Sequence, residues 1–71
     1  MTQIKIYDLL PLLRPGYVAM EKNGIWYLYE HKPVPDNIGI WMFDGDLYEL
    51  SAFNIERFDG DWKDSLMECG K

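Results

Sequence analysis

The chain reads as an α+β domain dominated by β structure, and three observations lead there. The dipeptides Asn23-Gly24 and Asp44-Gly45 each lie between runs of β-branched and aromatic residues, a strong short-range signal for a β-hairpin. Apolar residues make up 48% of the 71, enough for one small core and too many for a disordered chain. Helical spacing is confined to the two ends. The expected architecture is a single small domain over residues 1–71. Two β-hairpins and a short strand form a small curved antiparallel sheet or a partly open, SH3-like barrel, with a short N-terminal helical turn and a short C-terminal helix.

Each element follows from local chemistry. In IYDLLPLLRPG, Ile6, Leu9, Leu10, Leu12 and Leu13 have the spacing of a helical turn over residues 6–13. Pro11 is tolerated only in a first turn, and Pro15-Gly16 closes the segment. In GYVAMEKNGIWYLYEH, a two-residue type I′ loop at Asn23-Gly24 sets Met20 opposite Tyr27 and Val18 opposite Tyr29. Neither face of that hairpin is wholly polar. Such a sheet is covered on both sides, curled into a barrel, or lent to a partner.

Next, HKPVPDN carries two prolines in three residues, which predicts a stiff surface loop that ends the strand. IGIWMFDGDLYELS reads as a second hairpin turned at Asp44-Gly45, with Met42 opposite Leu47 and Trp41 opposite Tyr48. AFNIERF alternates and predicts a short strand. The motif FDGD occurs at residues 43–46 and again at 58–61. In its second copy Asp61 precedes WKDSLMEC, where Trp62, Leu66 and Cys69 have helical spacing. Asp61 is then the N-cap, Asp64 the first-turn acid and Gly70 the stop. One turn sequence thus serves two ends.

Charge and cysteine usage bound the function. The net charge is −5, and all of it lies in residues 44–71; residues 1–43 balance four acids with four bases. That polarity disfavours direct binding to a phosphate backbone and suits a basic partner or simple solubility. Cys69 is the single cysteine, which excludes an intrachain disulfide and a thiolate-rich zinc site. It reads as a packing residue on the last helix, and no spacing joins it to the single His31 as a catalytic pair. One unpaired cysteine fits a reducing compartment. With no signal-like N-terminus and no stretch of spanning length, the chain reads as cytoplasmic and not membrane-bound.

Two constellations carry candidate chemistry. Asp44, Asp46, Asp59 and Asp61 offer hard oxygen ligands, but DGDLYELSAFNIE does not match a calcium loop, and the acids read as turn residues. No phosphate loop, nucleophile elbow or metalloprotease motif is present, so a non-enzymatic role is expected. Three tryptophans, five tyrosines and three phenylalanines are a heavy aromatic load for so small a core. Trp26, Tyr27, Tyr29, Trp41 and Tyr48 fall on adjacent predicted hairpins. They form a candidate patch for a protein partner, with Trp26, Trp41 and Tyr48 as anchors and the four aspartates as an acidic rim.

The segments LLPLLRPGYVAM, NGIWYLYEHKP and FDGDWKDSLMECG resemble small uncharacterised proteins carried by bacteriophages and prophages, most specifically in the last segment. The resemblance implies an accessory protein acting in the bacterial cytoplasm by binding a host factor, with inhibition of a defence system such as CRISPR as one recurrent role. It implies no catalytic residue and no cofactor. The alternatives are an oligomeric sponge that stacks a nucleotide on the same rings and a virion assembly component whose aromatic patch is an oligomer seam.

Overall fold

The structure is a computed structural model and describes residues 3–70. Its elements are α1 (Ile6–Leu9), a 3-10 turn (Leu10–Leu12), β1 (Gly16–Met20), β2 (Trp26–Tyr29), β3 (Val34–Pro35), β4 (Trp41–Met42), β5 (Leu47–Glu49), a second 3-10 turn (Trp62–Asp64) and β6 (Met67–Cys69). The strands make a four-stranded antiparallel sheet, ordered β5-β2-β1-β6, and a separate antiparallel ribbon, β3-β4. The expected mainly-β domain with a short N-terminal helical turn is present. Neither sheet closes into a barrel among the described residues.

The first hairpin forms in a register one residue away from the expected one. Met20 pairs with Trp26, Val18 with Leu28 and Tyr17 with Tyr29. A type I′ turn needs positive φ at both loop residues, and Asn23 does not adopt it; Gly24 does, at 91°. The loop is therefore three residues, 22–24, closed by Gly24 N–H to Glu21 O (2.8 Å) and Glu21 N–H to Ile25 O (3.0 Å). One residue of slip changes which side chains share a face. Val18, Met20, Trp26 and Leu28 now share one core with Ile6, Leu9, Leu50 and Cys69. Ala19 and Tyr29 face the other way and pack with Trp41. Both faces of the sheet are covered, and each fully buried large side chain contributes about 1.5–3 kcal/mol.

The second hairpin is not turned at Asp44-Gly45. Trp41–Met42 pairs backwards with Val34–Pro35, and Leu47–Glu49 pairs with β2. The backward turn spans residues 37–39, and the Asp36 carboxylate templates it by accepting the Ile38 and Ile40 N–H groups (2.9 and 3.2 Å). Gly39 supplies positive φ, 103°. Pro35 does not bar this pairing. Asp36 N–H donates to Ile40 O, so by ladder alternation the nitrogen of Pro35 faces the outer edge, where no donor is needed. Residues 43–46 instead carry the chain from ribbon to sheet.

The C-terminal helix is also absent. Asp61 does cap a turn, its carboxylate accepting Lys63 N–H at 3.2 Å, but the turn ends after Asp64. Ser65 Oγ accepts Met20 N–H (2.8 Å) and donates to Trp62 O (2.6 Å), which ties the chain to the end of β1. Beyond it β6 pairs with β1, satisfying an edge that would otherwise be open. Short apolar runs are ambiguous between helix and strand, and that free edge resolves this one. Residues 53–58 form no ladder. They make one parallel bridge, Ile4 to Ile55, with Ile4 N–H to Asn54 O (2.7 Å) and Glu56 N–H to Ile4 O (2.9 Å).

Candidate functional site: an exposed apolar ribbon

The five predicted patch residues are not brought together on one surface. Trp26 is 3% exposed; its Nε1–H donates to Glu56 O at 3.0 Å and its ring meets Phe58 edge-on. Trp41 is 2% exposed, donates to Met20 O at 3.0 Å, and stands edge-on to Trp62 with centroids 5.7 Å apart. Tyr29 is buried against Tyr27 and Phe43. Burial pushes its phenol far above the ordinary value, with the charge of Glu21 adding to the effect. Tyr27 is half-buried, with its hydroxyl 3.5 Å from Glu49. Tyr48 is exposed, its hydroxyl accepting from Arg14 at 2.9 Å, with that guanidinium 5.1 Å from its ring centre. The two tryptophans chosen as anchors therefore fill cores and cannot touch a partner or stack on a base.

The acidic rim divides as well. Asp44 and Asp46 flank the crossover after β4, where Asp44 Oδ1 lies 3.4 Å from His31 Nδ1 and Asp46 O accepts Glu30 N–H. Asp61 is occupied as a cap. Asp59 borders a groove of about 360 Å³ with Lys5, Tyr7, Trp26, Glu56 and Arg57. Two cations and two carboxylates leave that groove without a charge preference, and Arg57 is turned to the carbonyls of Asn23 and Lys22 (3.3 and 3.4 Å). No cluster of three metal-binding side chains exists among the described residues. Cys69 is buried on a strand instead of a helix, Sγ lying 3.5 Å from Arg14 O. Burial pushes its thiol up, the reverse of an activated nucleophile.

What the surface does offer is the outward face of the ribbon. Val34 pairs with Met42, and both are exposed, at 61% and 62%. Asp36 pairs with Ile40 two positions on, so these four side chains share a face. Ile38 tops the turn at 80% exposed. The opposite face carries Trp41 into the core. The ribbon is held to β1 by the Trp41 bond to Met20 and to the β1–β2 loop by Lys22 N–H to Gly39 O (3.0 Å). A signal for this face was present: Ile38, Ile40 and Met42 alternate around Trp41. Pairing that run forwards with residues 47–49 hid it.

Fold and surface together define a small antiparallel β domain carrying an uncovered apolar strip beside acids. No protein family, curated protein or solved structure matches this chain. No helix among the described residues is long and apolar enough to cross a membrane.

Proposed function

We propose that this chain is a non-enzymatic binding protein that holds a partner protein on the outward face of the β3–β4 ribbon. The supporting observation is the uncovered set Val34, Ile38, Ile40 and Met42, large apolar side chains at 43–80% exposure grouped on one two-stranded element. An apolar strip edged by polar residues is the usual form of a protein contact surface. Asp36 within the face and Asp44 and Asp46 beyond its end favour a partner that presents apolar side chains flanked by Lys or Arg. The resemblance to phage-borne proteins supports a host factor of the bacterial cytoplasm as that partner.

The test is affinity capture from bacterial lysate with the wild type and with Val34→Lys/Met42→Glu. The reading expects a protein retained by the wild type and lost from the variant, while circular dichroism of the two coincides. Equal capture by both removes the ribbon as the contact surface.

A further inference from the structure

The two outer edges of the four-stranded sheet differ. Along β6, Gly70 N–H donates to Leu10 O and the first 3-10 turn packs against the strand. Along β5 nothing comparable lies among the described residues, and Leu47, Tyr48 and Glu49 are all exposed. The direction of each backbone group on that edge can be worked out. Leu50 N–H donates to Trp26 O and Glu30 N–H donates to Asp46 O, with Leu28 opposite Tyr48 between them. Hydrogen-bonded and non-hydrogen-bonded pairs alternate along an antiparallel ladder. Tyr48 therefore turns its N–H and C=O toward β2, and Leu47 and Glu49 turn theirs outward.

We propose that β5 pairs with β5 of a second copy of this chain, antiparallel about Tyr48, to give a two-fold symmetric dimer with one continuous sheet. In this register Leu47 exchanges both backbone bonds with the partner's Glu49, and Glu49 does the same with the partner's Leu47. Every outward group of the strand is then used. Tyr48 faces the partner's Tyr48 at a non-hydrogen-bonded position, where side chains approach most closely. Charge selects the same register. Glu49 faces Leu47, and Asp46 faces Leu50, so no acid on the edge opposes another. A shift of two residues one way sets Glu49 against the partner's Glu49, which is destabilising. The opposite shift leaves Glu49 facing the partner's Gly45, outside the strand. Each copy carries a net charge of −5, so association strengthens as salt screens the two copies. The seam is built on β5 and the ribbon face on β3 and β4, with Asp46 at the border of both, and the two contacts are tested by different variants.

Sedimentation equilibrium of the wild type from about 10 µM to about 1 mM, at low and high salt, reads the association directly. A monomer–dimer equilibrium that shifts toward dimer with added salt is expected; a monomer under every condition overturns the proposal. Cysteine variants read the register under mild oxidation, with the wild type and its buried Cys69 as baseline. Tyr48→Cys links to itself, because opposed Cα atoms in such a pair lie within disulfide reach. Leu47→Cys links to Glu49→Cys when the two are mixed and not to itself. Self-linking of Leu47→Cys as fast as Tyr48→Cys overturns the register. Leu47→Pro removes an outward donor and leaves the bonds to β2 intact, so it stays folded and monomeric; a folded Leu47→Pro that dimerises like the wild type overturns the edge pairing.

Discussion

The four-stranded sheet and the β3–β4 ribbon are turned by the same device and meet water in opposite ways. Each has a three-residue loop closed by a glycine with positive φ, Gly24 in one and Gly39 in the other. In the sheet, Val18, Met20, Trp26 and Leu28 cover one side, while Ala19 and Tyr29 lie under Trp41 on the other. Of the ribbon's strand residues only Trp41 is buried, and Val34, Ile40 and Met42 stay wet. The difference lies in partners. The sheet has the N-terminal segment on one side and the ribbon on the other, whereas nothing within the described chain lies over the ribbon. Apolar area in the sheet serves stability, and apolar area on the ribbon is free for use outside the molecule.

That contrast breaks first at Trp41. Trp41→Ala removes the ribbon's inward anchor and its bond to Met20, and should cost about 3–5 kcal/mol in urea unfolding. Cooperative unfolding within 1 kcal/mol of wild type would mean that the ribbon does not support the sheet.

Ser65→Ala comes next. It leaves Met20 N–H buried without its acceptor, and a loss of about 1–3 kcal/mol is expected. Ser51→Ala, at an exposed site, should stay within about 0.5 kcal/mol of wild type, and equal losses at the two serines would contradict the role given to Ser65.

A third effect appears in alkali. The Tyr29 phenol is held far above its ordinary value in the fold, so the unfolded chain releases that proton first. The stability it contributes is complete below about pH 10 and declines as pH rises further. Tyr29→Phe should flatten that decline in denaturation midpoints taken from pH 9 to 12, and an unchanged slope would assign the decline to other groups. The smallest effect belongs to the ribbon face: Met42→Ser should change stability by no more than about 0.5 kcal/mol while weakening partner capture.

The legible parts of the sequence were those fixed by local chemistry. The N-terminal helical turn, the hairpin around Asn23-Gly24 and the cap at Asp61 follow from a few neighbouring residues. The parts that escaped depend on what lies across space. Whether Asp44-Gly45 closes a hairpin depended on the free edge of β2 accepting residues 47–49. Whether residues 66–69 coil or extend depended on the free edge of β1. The register of the first hairpin hinged on Asn23 declining positive φ, and one residue of difference exchanged the cross-strand neighbours of Tyr17, Trp26, Tyr27 and Tyr29. For the same reason Trp26 and Trp41 read as surface anchors from composition and proved to be core.

The pairing of Val18 with Met67 also bears on synthesis. The strand that completes the sheet beside β1 is made some fifty residues after it, so the outer side of β1 stays unpaired until residue 69 has cleared the ribosome. Contacts this distant in sequence form slowly, because the intervening loop must close first. During that interval the nascent chain exposes an unpaired edge that bears Tyr17 to chaperones and to neighbouring chains on the same message.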